Sequence, residues 1–262
     1  MGIVNVTPDS FSDGGETPTP REALAAARRQ SQAGADIIDV GGESTRPGAT
    51  RVAPDEELAR VLPVVEGLAA DGLVVSVDSR RGEVASACVA AGAAIVNDVG
   101  GFRDPAMLRL AAGSEAGLVV MHMRGEPATM QDAPVYADVV AEVARFLRER
   151  TAALLEAGVA PERIVVDPGI GFGKTREHNL ALLNSAGDLT AVGFPVLVGL
   201  SRKRFVGEIT GRPEPRARLW GSVGGAVAMA MRGVSIVRVH DVAETVDALR
   251  VADAIEKGGV GR

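Results

Sequence analysis

Short apolar runs alternate with longer alanine-rich stretches along the whole chain, and this alternation most limits the folds available to it. The runs are rich in Val and Ile, as expected for parallel strands that are covered on both faces. The longer stretches are typical of helices that carry their charges on one face. Eight strands are predicted at 2–6, 36–40, 73–78, 93–98, 117–122, 163–168, 194–199 and 234–240. Eight helices are predicted at 20–34, 54–70, 81–91, 105–113, 137–157, 177–190, 215–232 and 243–257.

Eight strand–helix units favour one architecture. Each unit averages roughly 33 residues, the size of a βα crossover. A chain of 262 residues has the usual length of one α/β barrel, and no linker or low-complexity segment divides it. We therefore predict an α/β fold, a (β/α)8 TIM barrel that forms a single domain over residues 1–262. A doubly wound open sheet is the alternative.

Polar residues follow nearly all of the predicted strands. In a barrel the carboxyl ends of the strands meet at one mouth, where active sites of this fold are built. A single polar residue after a strand is usually an ordinary turn or capping residue. A polar residue after nearly every strand instead predicts a functional site. The series contains Asn5, Asp78, Asn97, His122, Asp167, Ser201, Lys203, Arg238 and His240.

The chemistry of the predicted mouth suits a small anionic ligand with a flat polar edge. The formal charge of the chain is −6, yet Arg46, Lys203 and Arg238 place cations at the mouth, which indicates an anionic small molecule. An Arg fork matches phosphate or carboxylate. Acceptors and an amide at strand ends can read the edge of a heterocycle. The alternative, that the carboxylates only pair with Lys203 and Arg238, stays open.

The composition argues against several other classes of protein. An acidic chain is a poor partner for nucleic acid or for an anionic membrane surface. The single cysteine, Cys88, excludes an intrachain disulfide and a Cys-based metal site. No apolar run approaches the ~18 residues of a membrane span, and we expect a cytoplasmic protein.

The three histidines lack zinc-ligand spacing. Mg²⁺ held mainly by a substrate phosphate is more plausible, with Asn5 as a candidate ligand.

The stretch DPGIGFGKT (167–175) looks like a nucleotide-binding P-loop but departs from that pattern. A P-loop requires glycine at the position that Pro168 occupies. We therefore expect Asp167 to be the informative residue of this stretch. Lys174 and Thr175 are expected to be its least important residues.

Seven motifs, in chain order, closely resemble those of dihydropteroate synthases. The resemblance covers essentially the whole chain. The motifs are MGIVNVTPDSFSDGG (1–15), DVGGESTRPGA (39–49), VSVDS (75–79), IVNDVGG (95–101), VVDPGIGFGKT (165–175), GLSRKRF (199–205) and VRVHDV (237–242).

The resemblance implies a (β/α)8 barrel that joins 6-hydroxymethyl-7,8-dihydropterin pyrophosphate to p-aminobenzoate, giving 7,8-dihydropteroate and pyrophosphate. It implies Mg²⁺ as cofactor, with Asn5 near the ion, and loss of pyrophosphate to leave a pterin cation that the arylamine attacks. The implied pterin contacts are Asp78, Asn97, Val99, Met121, Asp167, Gly199, Lys203 and Arg238. The implied pyrophosphate contacts are Asn5, Arg238 and His240. The implied p-aminobenzoate contacts are Thr45, Arg46, Pro47, Phe172, Ser201 and Arg204.

Two departures from the family pattern carry expectations of their own. Many relatives have Ser where this chain has Arg204, so this side chain either meets the p-aminobenzoate carboxylate or faces solvent. The segment that relatives commonly carry before the first strand is expected to be essentially absent.

The changes found in sulfonamide-resistant relatives are not visible here, and we expect a sulfonamide-sensitive enzyme. Loops 7–19 and 42–52 are expected to close over the site.

Two other activities are considered as alternatives to the synthase. The rivals are a corrinoid-linked methyltetrahydrofolate methyltransferase, which would not need Thr45, Arg46 and Pro47, and a non-catalytic pterin-binding paralogue.

The segment 217–233 is apolar or small on nearly all sides of its predicted helix. Because an outer helix of a barrel should have a polar face, we expect this helix to pack against a second subunit, in agreement with the family's homodimers.

Overall fold

The structure is a computed structural model that describes residues 1–7, 19–44, 51–190 and 192–258. It contains eight named strands, each overlapping a predicted one. They are β1 (Gly2–Asn5), β2 (Ile38–Gly41), β3 (Val75–Asp78), β4 (Ile95–Asp98), β5 (Gly117–Met121), β6 (Ile164–Asp167), β7 (Leu197–Val198) and β8 (Ile236–Val237).

The eight strands form a closed ring. Strands β1 to β6 pair in parallel in sequence order, and β7 pairs in parallel with β8. A parallel bridge joins Val166 of β6 to Val196, and another joins Gly2 of β1 to Val239. These bridges link the two groups of strands on both sides. The predicted (β/α)8 barrel is thus confirmed, and the open sheet is excluded because the last strand lies beside the first.

Ten α-helices surround these strands in the part of the chain that is described. They are α1 (Pro20–Gln32), α2 (Pro54–Ala70), α3 (Gly82–Ala90), α4 (Pro105–Gly113), α5 (Val139–Glu156), α6 (Arg176–Asn184), α7 (Ala186–Thr190), α8 (Arg204–Thr210), α9 (Leu219–Ala230) and α10 (Val242–Glu256). No described helix is long and apolar enough to cross a membrane.

The helices differ from the prediction in three places, the first being that the segment predicted as a helix at 215–232 begins as a 3₁₀ helix over Pro215–Arg218. The helix predicted at 177–190 ends at Asn184 and restarts at Ala186, next to Gly187, a residue of poor helix propensity. Helix α8 was not predicted, because its seven residues are too few to reveal a helical period. It begins directly after Lys203 and therefore closes the loop that follows β7.

The hydrophobic core lies between the strands and the helices. Val40, Val77 and Val96 belong to it and are buried. The residues that alternate with them along the strands, such as Asp39 and Asn97, contact each other instead. Strand pairing sets these polar positions side by side, since Asp78 is in register with Asn97. The fold therefore keeps the apolar valines outside the ring and gathers polar side chains within it.

Candidate active site

An arginine and three polar side chains from four strands meet in the ring. Arg238, which follows β8, donates from Nε to Asp39 Oδ2 at 2.6 Å and from its terminal amino group to Asp78 Oδ2 at 2.8 Å. Asn97 donates from Nδ2 to the same oxygen of Asp39 at 3.1 Å. The Asp39 side chain is completely buried. The cluster thus ties β2, β3 and β4 to the end of β8.

The electrostatics of this cluster leave a surplus of negative charge. Burial raises the pKa of the Asp78 carboxyl to about 7, with Arg238 opposing the rise and Asp39 adding to it. Burial lowers the pKa of Arg238, but the Asp39 and Asp78 carboxylates outweigh it and hold that pKa above its usual value. Within the described chain, Asp39 Oδ1 and Asn97 Oδ1 are buried and accept no hydrogen bond. The cluster can therefore accept hydrogen bonds from a ligand that carries donors.

Asp167 and Lys203 form a second charged group beside it. Asp167 Oδ1 accepts a hydrogen bond from the Gly169 backbone N–H at 2.7 Å. Burial raises the pKa of Asp167, and Lys203 is the strongest opposing influence. Lys203 donates from Nζ to the Ile170 carbonyl and lies 4.5 Å from the centre of the Phe172 ring. Burial lowers the pKa of Lys203 to about 8.

A small apolar cluster, separate from the main core, adjoins these charges. Val99, Met121, Met123 and Met130 are buried together, and Phe172 packs against them. Met121 is in register with Asp167 on the neighbouring strand. Thioether side chains adapt to the face of a flat ring. The arrangement suits a planar ligand whose edge is polar and whose face is apolar.

Ser201 and His240 lie together on the loops that follow β7 and β8. Ser201 Oγ is 3.1 Å from His240 Nδ1 and accepts a hydrogen bond from the His240 backbone N–H at 3.2 Å. The neighbouring Arg202 turns away and pairs with Asp241. Gly199 lies beside Arg238, whose Cβ would stand 3.7 Å from a Cβ added at that glycine. These residues bring a hydroxyl and an imidazole group together on the two loops, with Gly199 beside Arg238.

The p-aminobenzoate residues predicted on the loop after β2 lie outside the described residues: these are Thr45, Arg46 and Pro47. Residues on either side of this segment are anchored to the turn after β3. Arg81 pairs with Glu43 at 2.8 Å and donates to the Val52 carbonyl at 2.6 Å. Loops 7–19 and 42–52 are described only in part, so their predicted closure stays a prediction.

Most of the other predicted site residues are brought together, and one is not. The Arg204 side chain is 89% exposed and pairs with Glu208 one turn along α8 at 2.8 Å. It adopts the solvent-facing alternative because it occupies the first turn of a surface helix. The alternative pairing of carboxylates with cations is seen for Asp78 and Arg238. The residues that the structure gathers at the mouth are Asn5, Asp78, Asn97, Val99, Met121, Asp167, Phe172, Gly199, Ser201, Lys203, Arg238 and His240.

Sequence reasoning did not single out Asp39. Its only signal was a carboxylate within a short apolar run, and a strand pattern alone does not show which side faces the ring. Because Asp39 contacts both Arg238 and Asn97, it is the residue on which the cluster is organised.

The expectation that Lys174 is unimportant is wrong. Its side chain is buried, at 3% exposure, and Nζ donates to the carbonyls of Gly169 and Phe172 at 2.9 and 3.0 Å. Thr175 also has a structural role, since its hydroxyl accepts from the His178 backbone N–H at the start of α6. Both residues shape the loop that Asp167 begins.

Several backbone N–H groups of the 167–175 loop donate to acceptors within the protein. Gly169 N–H donates to Asp167, Gly171 N–H to Asn179 Oδ1 and Phe172 N–H to the Gly169 carbonyl. A P-loop instead directs such groups at a phosphate. The glycines serve the turn: Gly169 has φ +66, and a Cβ there would collide with the His122 carbonyl.

Metal binding by side chains alone has little support in the described chain. No group of three or more His, Cys, Asp or Glu side chains in the described residues is placed to hold an ion. Asn5 ends β1 in register with Gly41 of β2, and it contributes one amide oxygen. This donor set fits an ion that takes most of its ligands from a substrate.

A family model described as pterin-binding enzyme matches residues 1–240 of the chain. A dihydropteroate synthase of Neisseria meningitidis serogroup B is 49% identical over 261 residues, covering 97% of this chain and 92% of that protein. The chain belongs to the dihydropteroate synthase family of pterin-binding enzymes.

Solved structures of family members match the fold closely. A Xanthomonas albilineans dihydropteroate synthase with 4-aminobenzoic acid has a TM-score of 0.92 and 52% identity, covering 98% of this chain and 92% of that one. The same organism's enzyme in complex with 7,8-dihydropteroate has a TM-score of 0.89 and 49% identity, with coverage of 98% and 92%.

Proposed function

We propose that this chain is a transferase that joins 6-hydroxymethyl-7,8-dihydropterin pyrophosphate to p-aminobenzoate, giving 7,8-dihydropteroate and pyrophosphate. The observation that carries the proposal is the buried cluster of Asp39, Asp78, Asn97 and Arg238 beside an apolar wall, in a chain nearly half identical to dihydropteroate synthases. Such a pocket matches a ring with a polar edge and an apolar face.

The pterin ring occupies this cluster in the proposal. Its amino and ring N–H groups donate to Asp78, Asp167 and the amide oxygen of Asn97, which supplies the hydrogen bond that Asn97 Oδ1 lacks. Lys203 leaves the Ile170 carbonyl and donates to a ring nitrogen or carbonyl oxygen. Val99 and Met121 pack on the face of the ring, and Gly199 and Arg238 border it.

The pyrophosphate lies toward the ends of β1 and β8. Arg238 and His240 donate to its oxygens and stabilise the charge that grows as the C–O bond breaks. Asn5 would hold Mg²⁺ together with the pyrophosphate oxygens; when bound, the ion neutralises further charge on the leaving group. Arg238 thus contacts both the ring and the leaving group, and it orients one relative to the other.

The methylene carbon departs as a cation that the electron-rich pterin ring stabilises. The Asp167 carboxylate, buried nearby, favours this positive charge. The arylamine of p-aminobenzoate is neutral at pH 7 and attacks without a dedicated general base. Phe172 and Ser201 border the p-aminobenzoate, as do Thr45, Arg46 and Pro47 in the part of the proposal that rests on the family resemblance. Arg204, which faces solvent, is left out of this site.

Sulfonamides are expected to inhibit the reaction because they share the aniline group of p-aminobenzoate. They would compete for the proposed p-aminobenzoate site, which Phe172 and Ser201 border. A sulfonamide inhibition constant far above the KM for p-aminobenzoate would contradict this expectation.

One coupled assay tests the proposed activity. The chain is mixed with the pterin pyrophosphate, p-aminobenzoate and Mg²⁺, and pyrophosphate release and dihydropteroate formation are followed together. The expected result is equal amounts of both products. Pterin binding without pyrophosphate release would favour the non-catalytic paralogue. Methyl transfer from methyltetrahydrofolate to a corrinoid would favour the methyltransferase.

We further propose that the protein is a homodimer assembled through α9 and its neighbours α6 and α8. Leu180, Ile209 and Trp220 are exposed on these helices. Leu180 and Ile209 border an apolar cavity of about 330 Å³, and so does Gly221, which follows Trp220 on α9. A contiguous apolar surface of this kind is typical of an interface. A cytoplasmic location stays a prediction from the sequence.

A further inference from the structure

Lysine is rare in this chain, and its placement is selective. Only three of the 28 Lys and Arg residues are lysines: Lys174, Lys203 and Lys257. Lys257 is exposed at the end of α10 and pairs with Asp253 at 3.2 Å. Lys174 is buried and Lys203 is half-buried, and both donate to carbonyls of the loop after β6. A chain that otherwise uses arginine therefore uses lysine where two ammonium groups hold one loop.

Three acceptors converge on the Lys174 ammonium. They are the Gly169 carbonyl at 2.9 Å, the Phe172 carbonyl at 3.0 Å and His122 Nδ1 at 3.0 Å. Burial lowers the pKa of Lys174 well below its usual value, and the Asp167 carboxylate opposes the fall. As an ammonium, Lys174 has three protons, one for each acceptor. This requires His122 to be neutral and protonated on Nε2. Burial first, and then Lys174, lower the pKa of His122 to about 3, in keeping with a neutral ring.

A guanidinium could not replace this ammonium. Its five donors lie in one plane and point outward in a fork, whereas the three acceptors surround a single atom. The Lys174 side chain is 3% exposed, so water has little access to take the place of a missing donor. Removing the ammonium would take a buried donor from the Phe172 carbonyl and the imidazole nitrogen, and would leave the Gly169 carbonyl with the Phe172 N–H alone.

The carbonyls that Lys174 holds fix the course of the loop. Gly169 lies two residues after Asp167, and Phe172 carries the ring above the Lys203 ammonium. On its other side the loop is held by Gln131, which donates to the Gly171 carbonyl at 2.6 Å. Lys203 holds the Ile170 carbonyl, but in the proposed function it turns to the pterin. Lys174 is then the cation that still holds this turn.

We propose that Lys174 and His122 act as a positioning pair, whose hydrogen bonds set the place of the Phe172 ring and thereby the binding of p-aminobenzoate. The pair contacts neither substrate. This inference rests on the proposed synthase function, and it assigns the effect to the second substrate rather than to the pterin.

Steady-state kinetics of Lys174→Met test the proposal, because methionine keeps the length and loses the donors. The KM for p-aminobenzoate is expected to rise at least about 10-fold, the equivalent of one lost buried hydrogen bond. The KM for the pterin pyrophosphate should change by less than about 3-fold. Lys174→Arg should not restore the wild-type value. Lys257→Met is the matched control and should behave as the wild type. Equal kinetics for Lys174→Met and Lys257→Met would overturn the proposal.

Two His122 variants keep the test decisive if Lys174→Met does not fold. His122→Asn retains an acceptor close to the position of Nδ1, whereas His122→Leu removes it. The proposal expects the KM for p-aminobenzoate to rise in His122→Leu and to return most of the way in His122→Asn. Identical KM values in the two variants would contradict it.

Nitrogen NMR gives a readout that does not depend on catalysis. The chain has three histidines, so ¹⁵N-labelled imidazoles are assignable by substitution. At pH 7 His122 is expected as the neutral Nε2–H tautomer with an unprotonated Nδ1, and a protonated Nδ1 would overturn the pairing. A wild-type chain without synthase activity would refute the proposed function, while the tautomer would still decide whether Lys174 holds the loop.

Discussion

At the scale of single residues, the site rests on two carboxylates that share one guanidinium. Asp39 and Asp78 both accept from Arg238, and the second negative charge has no cation of its own in this cluster. Burial raises the pKa of Asp78 to about 7, Arg238 opposes the rise, and the Asp39 carboxylate adds to it. A ligand with N–H donors relieves it, which explains why the pocket favours a ring edge rich in donors.

Asp39→Asn should weaken catalysis without a direct contact between Asp39 and substrate. Loss of a charge-assisted hydrogen bond, worth about 1.5–3 kcal/mol, corresponds to a fall of roughly 10- to 100-fold in kcat/KM for the pterin pyrophosphate. Asp247→Asn is the matched control, because Asp247 is a surface residue that pairs only with Arg250 at 3.9 Å. Unchanged kcat/KM in Asp39→Asn would show that Arg238 is oriented by other groups.

The pH profile should report the charge of Lys203. Its pKa is lowered to about 8, so the ammonium is lost as the pH rises through that value, and kcat/KM for the pterin pyrophosphate should fall above it. In Lys203→Arg the guanidinium stays charged, and the alkaline limb should move beyond about pH 10. The profile of Lys257→Arg serves as the reference. If the alkaline limb of the profile stays at the same pH in Lys203→Arg, a group other than Lys203 causes it.

At the scale of elements, the loop after β6 depends on left-handed glycines. Gly169→Ala should lower the free energy of unfolding by at least about 2 kcal/mol, because a Cβ at φ +66 is strained and meets the His122 carbonyl. Gly113→Ala, at the exposed end of α4 where a Cβ meets nothing, should change it by less than about 0.5 kcal/mol. Urea denaturation measures both, and similar values would refute the role given to Gly169.

The elements themselves were largely predictable, whereas their side-chain partners were not. The alternation of apolar runs with helices marks all eight strands because each must be covered on both faces. Helix α8 was not predicted because it is short. The position of Asp39 inside the ring was not predicted because the pattern of a four-residue strand does not show which side chains face inward. The role of Lys174 was not predicted because its three acceptors are a ring nitrogen and two backbone carbonyls, and the spacing of residues in the sequence does not reveal such contacts.

At the scale of the whole molecule, the apolar surface of α9 should hold two copies together. Trp220 is 74% exposed, and Trp220→Glu would place a charge in the interface, which the dimer cannot desolvate cheaply. Sedimentation should show a dimer for the wild type and a monomer for this variant. Val74→Glu, at an exposed residue before β3 on the opposite side of the ring from β7, should remain dimeric. A monomeric wild type would refute the proposal.

The closure of the ring between β8 and β1 also affects the order in which the site is completed during synthesis. Asn5 is made first, yet the backbone partner of Ile3 is Val239, and Arg238 and His240 lie beside that residue. A nascent chain that ends before Arg238 contains Asn5 and most of the residues proposed to surround the pterin ring, but it lacks the guanidinium that pairs with Asp39 and Asp78. Because distant pairings form late in folding, the proposed leaving-group site cannot form until nearly the whole chain has been made.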